Sequence, residues 1–238
     1  MQQADSVAGK LFPHHFTLKT FTAAWHAAPF GRYYLNTCII AFGSISVQLV
    51  TSILAAYAFA RMSFKFRDLL FYIYLLQMMI PLSALVIPNY ITMKQLGTLN
   101  QLIGIMLPYF GSALGTFFMR QSFRSVPIEY EEAARIDGAN LWTIIWRIYL
   151  PASKAAALSF LLISFSYHWD DFFWPLIVTS SDDKRPVSVG LALFTQSSES
   201  GAAWQLIAAG AILVSLPVLI LFAVFQRQLV TGYARGMR

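Results

Sequence analysis

Five stretches of this chain run for about twenty residues with almost no charge, and a water-soluble core cannot absorb so many. The first extends from Asn36 to Ala60 and is closed by Arg61; the others lie at about 69–90, 102–119, 155–179 and 204–225. A helix rises 1.5 Å per residue, so about 20 mostly apolar residues cross a bilayer. Only 12% of residues are charged, half the roughly 25% of a soluble domain. The expected fold class is therefore all-α: a polytopic membrane protein of about five transmembrane helices, with the lipid bilayer as solvent.

Charge then orients the chain. A net charge of +6 in a soluble protein would suggest nucleic acid, but here the basic residues sit in short loops between apolar runs. With the residues before Asn36 outside, 11 of the 17 Lys and Arg fall on the inner side. Cytoplasmic loops carry the excess of Lys and Arg in membrane proteins. The expected layout is an extracytoplasmic N-terminal segment, 1–35, followed by a membrane domain, 36–238, ending in the cytoplasm. Residues 120–154 form its cytoplasmic loop and the Ser-rich 180–203 its long outer loop. Residues 1–35 hold no apolar core of a signal peptide. Either the first span carries them across, or a span lies upstream. Cys38, the single cysteine, lies in an apolar run and reads as a buried thiol.

Pro81, Pro88, Pro108, Pro175 and Pro217 fall in or near the spans. Membrane helices tolerate proline where neighbours satisfy the freed carbonyl. Each is either a packing kink or an unwound point along a pathway.

The densest charge lies in Ser125–Pro151, SVPIEYEEAARIDGANLWTIIWRIYLP. Pro127 suits a first helical turn. Glu129, Glu131 and Glu132 complement the positive end of that helix, and Glu131 and Arg135 are spaced to pair. Gly138 can end the helix in the left-handed conformation. Asn140 can cap a second helix over Leu141–Leu150, whose Trp142, Trp146 and Tyr149 suit the headgroup zone. Ala133 and Ala134 leave room for another backbone to approach. The residues alone leave two readings open, a docking knob and an amphipathic loop lying on the membrane.

Glu132-Ala133-Ala134, Gly138 and Ile148-x-Leu150-Pro151 resemble the EAA motif of bacterial ABC importer permeases, and EAARIDGA is similar to the carbohydrate-uptake branch, the second permease of maltose-type systems. Phe16-Thr-Leu, Asn36-Thr37 and Trp169-Asp-Asp-Phe172 agree more loosely. The resemblance implies a permease subunit of a binding-protein-dependent importer, coupled to a separate ATPase through the loop. Glu129, Glu132, Ala133, Ala134, Asp137, Gly138 and Ala139 would do the coupling. The implied partners are a second homologous permease, a dimer of ATP-binding subunits and an extracytoplasmic solute-binding protein, in a bacterial inner membrane. The family usually has six spans, so the first helix is missing here, through truncation or a natural five-span form.

No phosphate-binding GxxxxGK[ST] loop occurs in the chain; this chain binds no cofactor, and a pump built on it must borrow its ATPase. In the fourth run, Asp170 and Asp171 stand ~22 Å along the helix from Lys154, past the midplane. Intramembrane carboxylates usually face a cavity or a partner. Trp169, Asp170, Asp171 and Phe172 are thus candidates for a sugar path, or residues of the outer interface. A membrane enzyme using His168, Asp170 and Asp171 is disfavoured, because adjacent helical positions point in different directions; no catalytic or metal-binding residue is assigned. The rival cargo within the same permease branch is a polyol or a glycerol phosphodiester; no span holds an interior Arg or Lys to face a phosphate, which favours a neutral sugar.

Overall fold

The computed structural model describes residues 19–197 and 204–235. Phe16-Thr-Leu, the rest of 1–18, the end of the outer loop at 198–203 and residues 236–238 lie outside the described residues. The described residues form helices and no strand: α1 (Lys19–Ala27), α2 (Phe30–Arg61), α3 (Arg67–Leu75), α4 (Leu82–Gln95), α5 (Leu102–Met106), α6 (Ala113–Ser125), α7 (Ile128–Ile136), α8 (Leu141–Ile144), α9 (Leu150–Ala152), α10 (Lys154–Asp170), α11 (Phe173–Val178), α12 (Val187–Ser197) and α13 (Trp204–Arg235).

Among the described residues, two helices are long and apolar enough to cross a membrane unbroken, α2 and the Trp204–Phe225 part of α13. Three bent pairs supply the rest: Arg67–Met79 with Leu82–Gln95 at 99°, Leu102–Tyr109 with Ala113–Ser125 at 45°, and Leu141–Ala152 with Lys154–Asp170 at 80°. Counting each pair as one span gives the five that the apolar runs predict.

The prolines explain where the helices break. The run at 69–90 is not one helix. It stops at Met79 and restarts at Leu82, because Pro81 has no N–H and takes an extended backbone (ψ 138°). The run at 155–179 stops at Asp170 and restarts at Phe173. Pro175 cannot donate to the Asp171 carbonyl four residues back, and the Ser188 hydroxyl donates to it instead at 2.6 Å. Pro217 stays inside α13. The Leu213 carbonyl it frees accepts from the Tyr34 hydroxyl at 2.5 Å, and the next one, Val214, accepts from the Trp169 indole at 2.9 Å. Side chains on neighbouring helices thus replace the hydrogen bonds that water would supply outside a membrane.

α2 is the central post, packed along α6 and crossed by α10. Gly115 sets the approach: a Cβ there would lie 2.5 Å from Ser52 Oγ and 2.7 Å from the Phe160 ring. Small residues at such crossings let membrane helices meet closely. Gly115→Val is expected to destabilise the protein by about 1–3 kcal/mol, the usual cost of overpacking, read as a lower melting temperature in detergent.

The two ends of α2 anchor different things. At its N-terminal end, the Asn36 amide donates to the carbonyls of Asp183 and Arg185, both at 2.9 Å, and Arg32 donates to Asp183. The Asn100 side chain accepts from Ser180, Ser181 and the Ser181 hydroxyl, so this end gathers the loop after α11. At the opposite end, Arg61 donates to the Phe123 and Val126 carbonyls that close α6. The loop holding α7 therefore sits across the molecule from the 180–185 loop, as the alternation of spans requires.

Candidate functional site

The first site is the loop around α7. The helix starts after Pro127 and ends at Ile136; Gly138 then takes φ +79°. A side chain would meet nothing within 4 Å at Gly138, so the glycine serves the turn and not the packing. Asn140 caps α8 by accepting from Thr143 N–H at 2.9 Å. The second helix is not the uniform Leu141–Leu150 element that its cap suggests: it passes through a π-helical turn at Ile145–Tyr149. Nor does Tyr149 sit among headgroups. Trp142 is exposed, but Tyr149 is completely buried, because the π turn swings it inward onto α2.

That inward turn serves Glu131. Its carboxylate is 5% exposed and accepts from Tyr57 at 2.7 Å, Tyr149 at 2.6 Å, and Arg135 at 2.7 and 3.1 Å. Burial by itself would push this carboxyl up. The three donors and the guanidinium charge outweigh it and hold the group below its ordinary value of 4.5. Glu131 is thus charged and fully partnered.

The remaining loop residues face the other way. Glu129, Glu132, Ala133, Asp137 and Gly138 are exposed. Ala134 and Ala139 are partly buried and pack beneath the helix against the cluster of Ile53, Phe123 and Tyr149. The seven coupling candidates therefore divide into an exposed strip and two alanines that seat it.

The second site is a cavity of about 330 Å³ between α2, α4, α6 and α10. Its polar groups come from Gln48, Gln77, Asn89, Tyr109, Ser112, Ser164, Tyr167 and Asp171, set among apolar walls that include Met78, Leu82 and Phe160. Four of them are linked: Gln48 donates to the Tyr109 carbonyl and accepts from Ser164, both at 2.6 Å, and the Tyr109 hydroxyl donates to Asp171 at 2.9 Å. Three helix breaks border the space: one through Ile80 and Leu82, one through Tyr109, Gly111 and Ser112, and one through Asp171 and Phe173. No Lys or Arg lines it.

Of the four candidates in the fourth run, only Asp171 reaches this cavity. Trp169 is 2% exposed and committed to the Val214 carbonyl. Asp170 and Phe172 are exposed and absent from the lining. His168 is buried against the rings of Tyr109 and Tyr167, so His168, Asp170 and Asp171 do not converge. Among the described residues no group of His, Cys, Asp and Glu could hold a metal ion. Two residues escaped the reading of the sequence. Gln48 is a lone amide in an apolar run, a signal that points to a cavity or partner; Tyr109 beside Pro108 carried no comparable mark.

An exposed Glu132-Ala133 strip closed by a left-handed glycine, on a bundle of broken membrane helices around a cavity without Lys or Arg, agrees with comparison to known proteins. Residues 48–235 match the family described as binding-protein-dependent transport system inner membrane component. The chain belongs to that family. It is thus a bacterial inner-membrane transport subunit and not an enzyme. The sn-glycerol-3-phosphate transport system permease of Yersinia pestis is 32% identical over 228 residues, covering 93% of this chain and 81% of that protein. The lactose transport system permease of Rhizobium radiobacter is 35% identical over 197 residues, covering 83% and 71%. Among solved structures, a chain of a bacterial ABC transporter for import of the acidic polysaccharide alginate superposes with TM-score 0.81 at 26% identity, covering 95% of this family member and 85% of that chain.

Proposed function

We propose that this chain forms one half of an ATP-driven import path for a neutral sugar or oligosaccharide, with a homologous permease forming the other half. Its N-terminus lies outside and its C-terminus in the cytoplasm. Glu132, Ala133 and Gly138, flanked by Glu129 and Asp137 and seated on Ala134 and Ala139, dock a separate ATPase dimer, which binds and hydrolyses the ATP. A solute-binding protein delivers cargo at the end of α2 that holds Asn36. One observation carries the docking reading: Glu131 is turned fully inward while its neighbours Glu132 and Ala133 are left bare on the outer face of a nine-residue helix.

The cavity supports the choice of cargo. Amide, hydroxyl and carboxylate groups suit a solute that offers hydroxyls, and the apolar walls suit the faces of sugar rings. A second reading takes sn-glycerol 3-phosphate as cargo, the solute named for the Yersinia relative. A phosphate in this cavity would face Asp171 with no cation to balance it. The two separate in membrane vesicles holding the whole transporter and its binding protein. The expected result is ATP-dependent uptake of labelled disaccharide that excess sn-glycerol 3-phosphate leaves unchanged. Uptake of labelled sn-glycerol 3-phosphate, blocked by unlabelled ester and not by disaccharides, would reverse the assignment.

A further inference from the structure

A nine-residue helix held only by its two turns would be a poor lever, since isolated helices this short are marginal. Force applied to α7 by a docked partner would tilt or unwind it before moving the membrane helices. Among the described residues a polar fastening at Glu131 joins them. Tyr57 belongs to α2 and stands a single turn before Arg61; Tyr149 ends the π turn, which passes through α9 and an 80° bend into α10. Their hydroxyls grip separate oxygens of Glu131, Tyr57 on Oε1 and Tyr149 on Oε2. Arg135, on the next turn of α7, closes the knot on Oε1 and also donates to the Tyr57 hydroxyl at 3.2 Å. Charge-assisted hydrogen bonds are shorter and stronger than neutral ones, and here two buried phenols hold the carboxylate while Arg135 closes the knot from the solvent side.

The helices so fastened carry the cavity's polar groups. Gln48 lies nine residues from Tyr57 on α2, about 14 Å along the axis. Ser164 lies on α10 and bonds Gln48. A displacement of Glu131 is therefore passed to the two elements whose side chains meet across the cavity.

We infer that Glu131 is the positioning residue that couples ATPase motion to the transport path: Tyr57 and Tyr149 lock the docking helix to α2 and to the turn that feeds α10, so that the loop and the cavity move together. This rests on the docking reading above. Glu131 touches neither cargo nor ATPase, and its loss disconnects the two without removing either.

The test uses the whole transporter, reconstituted in liposomes with its binding protein, and compares wild type with Glu131→Ala, Glu131→Gln and Tyr57→Phe. Three quantities are read: ATPase subunit co-purified, ATP hydrolysed, and solute imported per ATP. The expected result is that Glu131→Ala keeps the ATPase subunit and hydrolyses ATP, while import per ATP falls about tenfold, as expected for loss of a charge-assisted bond. Glu131→Gln, which can still bond both phenols, recovers much of the ratio, and Tyr57→Phe lies between. A residue that merely stabilises the fold would lower the amount of complex and leave import per ATP unchanged; that outcome overturns the proposal. So does a transporter that cannot be assembled with any of the three variants, since the knot would then be structural alone. If wild type itself carries no ATPase subunit, it is the docking reading that fails.

Discussion

Ala133→Trp is expected to strip the ATPase subunit from the detergent-solubilised transporter while this chain folds and inserts as before. Ala133 lies on the bare face of α7, so an indole there enters solvent and not the interior. The helix itself loses roughly half a kcal/mol of propensity, and Glu131 remains to hold it down. At a docked surface the same indole has nowhere to go. Well-packed contacts that cannot relax lose about 1–3 kcal/mol to overpacking, and a group this large against a rigid cleft lies at or above the top of that range, over a hundredfold in affinity. Co-purification should fall to background, whereas Ala133→Ser should retain the subunit. Retention of the ATPase by the tryptophan variant would mean that this strip does not dock it, and would remove the main support for the coupling reading.

The contrast between Ala133 and Glu131 shows what the sequence conveys and what it withholds. The spans, their number, the helix–turn–helix at Pro127–Pro151 and the left-handed Gly138 follow from short-range physics: runs of apolar residues, a proline at a start, a glycine at a stop. Each involves residues near one another in the chain. Glu131 is different. Its spacing from Arg135 predicts a pair on one helix, and that pair forms. Its burial depends on Tyr57, 74 residues away, and on a π turn that no local pattern announces. Trp169 failed for a similar reason. Its neighbourhood suggested a sugar path, but the indole is committed to the Val214 carbonyl, beside the one that Pro217 frees on a distant helix. Proline marks such breaks in the sequence, and the partner that repairs each break becomes visible only in the fold.

Asp171→Asn should have the largest effect on cargo itself. Asparagine has the same shape and can still accept from Tyr109 at the position where Asp171 Oδ2 now does at 2.9 Å, so the cavity and the break between α10 and α11 should persist. What disappears is the negative charge facing the space. A sugar hydroxyl donating to a carboxylate is worth about 1.5–3 kcal/mol, against about 1 kcal/mol for a neutral acceptor. Uptake at low solute should therefore fall roughly three- to thirtyfold, and recover in part when solute is raised. Tyr109→Phe, which removes only a neutral donor from the network, should cost less, about fivefold. The sign of the Asp171 effect is as informative as its size. For a phosphate-bearing cargo the asparagine removes a like charge, and uptake should rise. If both variants import as wild type does, the cavity lies off the path, and the cargo passes along a surface made mostly by the other half of the transporter.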